Sequence, residues 1–267
     1  MKCYTLFSSS SGNCIYLEEN HTRVLIDAGG SMRRVQNALA SLGVSLSEIR
    51  AILVTHEHSD HTSALAAIAK NFPVEIYCQK KVAESLYLSL LHKPERGREA
   101  ASFARAVRTV ICGDEYAVDD LRFTPFQTPH DSVDSAGFIF GDRALGVATD
   151  LGHVSDEVEN ALIGCKHVIL ESNHDLQMLR DGPYPVYLKE RVASDYGHLN
   201  NSDSATFCAR LLKKGCENFT LYHLSKENNT PALALSSALD AFHGIGGTEN
   251  KDFHLRTASP QEIIQVL

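Results

Sequence analysis

The chain contains no tryptophan, and aromatic residues make up only 7% of its 267 positions. Its hydrophobic fraction is nonetheless 43%, so a core of mainly aliphatic side chains can form. Basic residues are also outnumbered: the chain has 25 lysines and arginines and 33 aspartates and glutamates, which gives a formal net charge of −8 at pH 7. This balance argues against binding nucleic acid through the overall field of the protein, but a local basic or metal-lined groove stays possible.

The seven cysteines are scattered singly, and no two of them form a Cys-x-x-Cys pair. Their odd number and their positions in apolar runs such as EIYC and VIC indicate buried thiols in a reducing compartment. The N-terminus lacks an apolar stretch of signal-peptide length, and no run reaches the roughly 18 apolar residues of a membrane span. We therefore expect a cytoplasmic protein with no membrane partner.

Short β-rich runs come first along the chain, and strands alternate with helical spacings in the second half. No linker, repeat or low-complexity tract interrupts this order. We predict one domain over residues 1–267, with two layered sheets flanked by helices. The predicted elements include a strand over 104–111 and helices over 31–42, 62–70, 80–91, 155–163, 186–194, 202–213 and 231–242.

The segment THEHSDH follows the apolar run AILV directly, so it lies at the end of a predicted buried strand. His56 and His58 point the same way if the backbone stays extended, and Asp60 and His61 follow as the chain turns into a helix. Imidazole and carboxylate are suitable ligands for Zn²⁺, Mn²⁺ or Fe²⁺. A polar surface loop would explain a lone His-x-His pair, but the longer pattern indicates a metal site.

This pattern resembles the signature of the metallo-β-lactamase superfold, whose later ligands are a histidine, a bridging aspartate and a final histidine at strand ends. His130 ends LRFTPFQTPH, Asp150 ends LGVATD and His223 ends NFTLYH. Taken singly, these three could be a turn residue, a helix cap and a buried strand histidine. The resemblance covers nearly the whole chain and implies an α/β fold, the αββα sandwich of two mixed sheets flanked by helices.

The resemblance implies two divalent metal ions, of zinc, manganese or iron, that activate a hydroxide for attack. The oxygen-reducing di-iron proteins of the superfold usually have glutamate at the position of His58, and the β-lactamases usually lack the bridging aspartate. Both differences favour the hydrolase and phosphodiesterase branches. The implied ligands are His56, His58 and His130 for the first ion, Asp60, His61 and His223 for the second, and Asp150 as the bridge.

Two further segments favour phosphate esters as substrates. Ser10, Ser11 and Asn13 lie in SSSSGNC, which is either a phosphate cradle or an ordinary polar turn. His198 in GHLNN resembles the histidine of the His-Ser-Thr motif in RNase Z-like nucleases, which donates a proton to the leaving oxygen. In that interpretation Asp60 both binds metal and orients His198. The alternative is that His198 is a loop histidine that caps a helix.

The segments SSSSGNC, THEHSDH, ESNHD, GPYP, GHLNN and HLSKENN together resemble the YycJ/WalJ group of bacterial metallo-β-lactamase-fold proteins. That resemblance implies a 5′→3′ exonuclease whose partner is DNA. Asn200 stands where the group suggests serine, and this puts one phosphate contact in doubt. Ser225, just after the final ligand, either holds phosphate or caps the next helix.

Two other functions stay open from the sequence. A small-molecule phosphodiesterase, acting on cyclic nucleotides or ribose phosphodiesters, is mildly favoured by the acidic net charge. A non-catalytic regulatory protein could use metals only to hold its fold. The intact ligand set with a candidate proton donor argues against this, because a structural site needs no open coordination position. tRNA processing is disfavoured because the chain shows no Gly-Pro-rich arm, and 72 residues between Asp150 and His223 leave no room for an inserted β-CASP domain.

Overall fold

The computed structural model describes residues 1–92 and 96–267, which divide into two compact units. Unit 1 comprises Met1–Pro125, Ser132–Ala136 and Ser259–Leu267, and unit 2 comprises Phe126–Asp131 and Gly137–Ala258. Each unit has a hydrophobic core of its own, mainly aliphatic in unit 1 and richer in phenylalanine in unit 2. The single domain over residues 1–267 stays a prediction.

Unit 1 is built on a mixed sheet. Its strands are β1 (Lys2–Ser9), β2 (Gly12–Glu19), β3 (Thr22–Ile26), β4 (Ala51–Leu53), β5 (Glu75–Gln79), β6 (Val107–Val110) and β14 (Ile264–Gln265). Two further strands, β7 (Tyr116–Val118) and β8 (Leu121–Gln127), pair antiparallel with each other and do not belong to this sheet. The strand order is β14-β1-β2-β3-β4-β5-β6. The first three strands form an antiparallel meander, whereas β3 to β6 are parallel because helical segments connect them.

The helices of unit 1 cover this sheet and largely follow the predicted spacing. They are α1 (Met32–Ser41), a 3₁₀ turn (Leu46–Glu48), α2 (Ser59–Thr62), α3 (Leu65–Asn71), α4 (Lys80–Leu91) and α5 (Gly97–Ala106). Ser31 caps α1 by accepting a hydrogen bond from the Arg34 amide, and Val35 and Leu39 are its buried face. The predicted helices over 31–42 and 80–91 are confirmed.

The predicted strand over 104–111 is wrong in its first three residues. Ala104–Ala106 form the last turn of α5, and β6 begins only at Val107. The helix buries Ala100 and Phe103 in the core of unit 1, and this packing outweighs the alternating pattern of ARAVRTVI. The predicted helix over 62–70 corresponds to α2 and α3, two short helices.

Unit 2 is built from β–α units. Its elements are β9 (Ala136–Phe140), β10 (Leu145–Ala148), α6 (Asp156–Leu162), β11 (His167–Glu171), α7 (Leu176–Asp181), α8 (Val186–Val192), α9 (Asn201–Lys213), β12 (Asn218–Tyr222), α10 (Pro231–Gly244) and β13 (His254–Thr257). The strand order runs β13-β12-β11-β10-β9, with β9 antiparallel and the others parallel. Two mixed sheets with covering helices confirm the predicted α/β class.

All seven cysteines are free thiols, and six of them are buried. Burial raises the pKa of Cys78 and that of Cys216 to about 12, so both thiols are protonated at neutral pH. The prediction of small buried residues is therefore confirmed. Across the described ranges, the helices lack the length and apolarity that crossing a lipid bilayer requires. A cytoplasmic location stays a prediction.

Candidate metal centre

In unit 1, two parallel strands bring a buried carboxylate to the start of the THEHSDH segment. β3 and β4 pair with Ile26 opposite Leu53, so Asp27 and Thr55 lie at the same edge of the sheet. The Asp27 carboxylate accepts hydrogen bonds from the Thr55 amide at 2.8 Å and from the Thr55 hydroxyl at 2.9 Å. Asp27 thereby fixes the point at which the histidine-rich segment leaves the sheet.

The three histidines of this segment are gathered tightly. The ring of His56 lies 4.6 Å from that of His58 and 4.2 Å from that of His61, measured between centroids. His56 and His61 are fully buried, whereas the Asp60 side chain is 21% exposed. The Nδ1 atom of His61 lies 2.7 Å from the Asp27 carboxylate. An Nδ1–H bond to that carboxylate leaves Nε2 with a lone pair for a metal.

The β1–β2 turn reaches the same segment through a buried amide. The Nδ2 atom of Asn13 lies 3.3 Å from a carboxylate oxygen of Asp60 and 3.1 Å from Nε2 of His61. Gly29 makes this approach possible, because a Cβ there would lie 1.8 Å from the Asp60 carbonyl oxygen and 2.6 Å from the Asn13 amide nitrogen. The turn and the histidine-rich segment are therefore packed backbone against backbone.

In unit 2, three parallel strands end in polar residues at one edge. Asp150 comes two positions after β10, Glu171 ends β11 and His223 follows β12. The register pairs Ala148 with Leu170 and Glu171 with Tyr222, so the three ends are level. Nδ1 of His223 lies 3.2 Å from the nearer Asp150 oxygen.

Glu171 is fully buried and its carboxylate receives four N–H groups. One oxygen lies 2.9 Å from Nδ1 of His198 and 2.8 Å from Nδ1 of His223. The other accepts from the backbone amides of Leu151 at 3.0 Å and Leu199 at 3.1 Å. With both oxygens engaged, Glu171 orients the two imidazoles, and their Nε2 atoms are directed away from it.

This arrangement controls the protonation of His198. Burial alone would lower the pKa of His198, but the charge and hydrogen bond of Glu171 outweigh it and hold that pKa above the usual value. Burial likewise opposes ionisation of Glu171, yet the two histidines lower the pKa of its carboxyl well below the usual range. The pair therefore favours an imidazolium on an ionised carboxylate, which is a proton donor held in a fixed orientation.

His130 reaches the same unit from the loop after β8. Its Nδ1 lies 3.0 Å from the Gly197 carbonyl oxygen, and its Nε2 lies 3.9 Å from Asp150. Burial lowers the pKa of His130, which keeps the ring neutral and suited to ligate a metal. The backbone at Gly197 packs closely on the end of α8, because a Cβ there would lie 2.2 Å from the Arg191 carbonyl oxygen.

Three of the residues at these strand ends have a left-handed backbone. The φ angles are +60° at Asp27 and +56° at both Asp150 and His223. This conformation is uncommon for residues other than glycine and is a form of strain that clusters at functional sites. The turn it produces directs each side chain off the end of its strand.

The donors fit divalent metal ions in each unit considered alone. In unit 2, Nε2 of His130 lies 3.9 Å and Nδ1 of His223 lies 3.2 Å from the Asp150 carboxylate, and unit 1 gathers three histidine rings beside a partly exposed aspartate. Imidazole nitrogens with Nδ1 held by a carboxylate or carbonyl are the usual arrangement at zinc, iron and manganese sites.

The residues predicted to bind substrate lie in different surroundings. Ser10 and Ser11 are exposed on the β1–β2 turn, whereas Asn13 is fully buried. Asn200 caps α9 by accepting from the Asp203 amide at 3.0 Å. Ser225 is buried and accepts from the Asn228 amide at 3.1 Å. Substrate contacts by these five residues stay predictions.

Sequence reasoning missed Asp27 and Glu171 as functional residues. Each ends an apolar run, RVLID and HVILE, as Asp150 does in LGVATD, but the family resemblance pointed only to Asp150. Neither belongs to a cluster of histidines in the sequence, so nothing else sets the two apart from other strand ends. Their roles become visible only when β3 pairs with β4 and β11 pairs with its two neighbours.

Comparison with known proteins agrees with this geometry. The Beta-lactamase superfamily domain matches residues 22–216. Exodeoxyribonuclease YycJ of Bacillus anthracis is 30% identical over 258 residues, covering 96% of this chain and 94% of that protein. Exodeoxyribonuclease WalJ of Streptococcus pneumoniae is 31% identical over 262 residues, covering 96% and 93%.

A solved structure shows the same fold. The metallo-β-lactamase fold protein YhfI from Bacillus subtilis superposes with a TM-score of 0.69 over 99% of this chain and 98% of that one, at 12% identity. Because the domain matches most of the chain and two relatives match over nearly their whole length, the chain belongs to the metallo-β-lactamase-fold hydrolases, in the group of the YycJ and WalJ exodeoxyribonucleases.

Proposed function

We propose that the protein is a metal-dependent phosphodiesterase that degrades DNA in the 5′→3′ direction. The observation that carries the proposal is His198, held by Glu171 at 2.9 Å beside Asp150 and His223. A protonated imidazole in this position suits a reaction whose leaving group is an alkoxide. DNA as substrate is supported by the relatives named exodeoxyribonuclease, which match over nearly their whole length.

The ligand assignment carries over from the family pattern and forms part of the proposal. When bound, two divalent cations stabilise the charge of the phosphoryl group in transit and lower the pKa of water. Zinc, manganese and iron all suit these donors. The proposed ligands are His56, His58 and His130 for one ion, Asp60, His61 and His223 for the other, and Asp150 for both.

The role of the chain itself is to hold the donors and to move one proton. Glu171 keeps Nδ1–H of His198 bound, so the proton on Nε2 of the imidazolium is the one available for the 3′ oxygen as it leaves. Glu171 also fixes the ring of His223, and Asp27 fixes that of His61. Each of these carboxylates acts as a positioning residue that sets which ring nitrogen faces the reaction.

The direct test is digestion of a 5′-phosphorylated, 3′-labelled DNA duplex with Mn²⁺ or Zn²⁺, beside the His58→Ala variant. Labelled fragments should shorten progressively with the native protein. The His58→Ala variant should cleave DNA at least about a thousandfold more slowly and keep the native melting temperature. Intact DNA with every metal, in protein shown to contain metal, would refute the exonuclease.

A small-molecule phosphodiesterase is the second candidate, and the net charge of −8 is the observation that favours it. Steering of a polyanion by the overall field is unfavourable at this charge, whereas a small diester is repelled much less. Hydrolysis of cyclic nucleotides or of bis-p-nitrophenyl phosphate, with DNA left intact in the digestion above, would favour this candidate over the exonuclease.

Replacing His198 with alanine is expected to slow DNA cleavage by about a hundredfold or more, because the 3′ oxygen would leave without a proton. Cleavage of bis-p-nitrophenyl phosphate should fall far less, since p-nitrophenolate leaves readily as an anion. The ratio of the two kcat/KM losses is the measurement. Equal losses on both substrates would contradict the proton-donor role and point to a structural one.

A further inference from the structure

A cavity of roughly 350 Å³ in unit 1 has one charged side chain in its wall, that of Arg34 in the first turn of α1. The rest of the lining is apolar or uncharged, and it comes from β1, α1 and the C-terminal segment. The lining residues are Leu6, Phe7, Arg34, Asn37, Ala38, Ser41, Pro260, Gln261 and Ile263.

The Arg34 guanidinium is held in place on two sides. Its central carbon lies 3.9 Å from the centroid of the Phe7 ring, so the planar group stacks on the aromatic face. Its Nη2 atom donates a hydrogen bond to the Pro260 carbonyl oxygen at 2.7 Å. These contacts restrict the side chain and leave the donors at its edge facing the cavity and the adjoining turn.

No carboxylate neutralises this guanidinium within the described part of the chain, and Pro260 accepts its one hydrogen bond there. Arginine has five N–H donors, so four are left to bind an acceptor. In a chain with 33 acidic residues and a net charge of −8, a stacked, partly buried arginine with no acidic partner among the described residues is suited to pair with the anion of a ligand. The fork of donors matches the paired oxygens of a phosphate.

The same arginine borders the turn that contacts the histidine-rich segment. A Cβ on Gly12 would lie 2.9 Å from Nη1 of Arg34, so the guanidinium lies against the turn backbone. The next residue, Asn13, has its amide 3.3 Å from Asp60. Ser10 and Ser11 are exposed on this turn and add hydroxyl donors. An anion bound by Arg34 would thus be close to a proposed metal ligand without touching it.

We propose that Arg34, stacked on Phe7 and lying against the turn that carries Ser10 and Ser11, binds a backbone phosphate of the DNA strand, one that neighbours the phosphate being cut. This inference rests on the proposed nuclease function and names a contact that positions its substrate. A short strand offers regularly spaced phosphates, so a fixed arginine beside the cleavage site sets the register in which the strand is bound.

The test is the affinity of the as-purified protein for a 3′-labelled, phosphorothioate-linked strand, measured by fluorescence anisotropy at several salt concentrations. Arg34→Gln should weaken binding about five- to tenfold at low salt and reduce the slope of log Kd against log salt by roughly one. Arg33→Gln is the matched control, since Arg33 is exposed on the same helix and does not line the cavity. Equal losses in the two variants would overturn the proposal.

A second variant tests the site without altering Arg34, in case Arg34→Gln does not fold. Asn37→Asp introduces a carboxylate into the lining of the cavity while leaving Arg34, Phe7 and Pro260 intact, and it should weaken strand binding by a similar factor at an unchanged melting temperature. Unaltered binding in this variant would count against a phosphate in the cavity.

A measurement with inorganic phosphate distinguishes a site for free phosphate from a site for a phosphate of the DNA strand. If millimolar phosphate raises the melting temperature of the native protein but not of Arg34→Gln, while strand binding is equal in both, the site takes free phosphate and the proposal fails. The nuclease function fails separately, when the native protein binds the strand but cuts no DNA under any metal.

Discussion

Glu171→Gln is expected to lower DNA hydrolysis by at least about a hundredfold and to weaken metal binding by about tenfold or more. Glu171 holds His198 and His223 through one oxygen and two backbone amides through the other. Glutamine offers one acceptor oxygen, and its amide would place N–H groups against donors. The proton on His198 would lose its stabilising charge, and the ring of His223 would lose its orientation.

The measurement is kcat/KM on DNA together with metal content by elemental analysis. Glu217→Gln is a matched control, because Glu217 is exposed in the same unit and, among the described residues, takes part in hydrogen bonds only through its backbone. Near-native turnover with full metal content in Glu171→Gln would show that neither imidazole depends on this carboxylate.

Gly29→Ala is expected to be the most destabilising single methyl addition in unit 1, lowering the free energy of unfolding by about 3 kcal/mol or more. The added Cβ would lie 1.8 Å from the carbonyl oxygen of Asp60 and 2.6 Å from the amide nitrogen of Asn13. Both neighbours are backbone atoms, so neither can rotate away. Relief requires the β1–β2 turn and α2 to separate, which also displaces Asp60 and His61.

Urea denaturation of the metal-free protein measures this effect without any contribution from bound ions. Gly244→Ala is the control, since a Cβ at Gly244 would meet nothing within 4 Å and the residue lies at the end of α10. Alanine there should leave stability unchanged or raise it by up to about 1 kcal/mol. Similar denaturation midpoints for the two variants would contradict the backbone contact seen at Gly29.

The sequence predicted those parts of the molecule that depend on local pattern. Helix α4 and the cap of α1 at Ser31 follow from apolar spacing and from a serine before the first turn. Residues at strand ends are also open to prediction, because a polar residue after a buried strand marks the edge of a sheet. The resemblance to the metallo-β-lactamase superfold, applied to such strand ends, identifies His130, Asp150 and His223 as candidates.

The features that sequence could not supply depend on which strands pair. Glu171 ends one strand among many, and its role follows from β11 lying between β10 and β12. The Gly29 contact joins residues that are 31 positions apart in sequence, and nothing local in the AGG segment signals it. Helix α7 also escaped prediction, because six residues are too few to establish a periodicity.

The left-handed backbone at Asp27, Asp150 and His223 has a consequence for how this chain can evolve. Such residues each cost on the order of 1 kcal/mol or more, and a folded domain has only about 5–15 kcal/mol in total. Glycine at any of the three would relax the backbone and remove a side chain that the proposed reaction needs. Selection for thermal robustness and selection for turnover therefore act in opposite directions at these three positions, and gains in heat resistance must arise elsewhere in the chain.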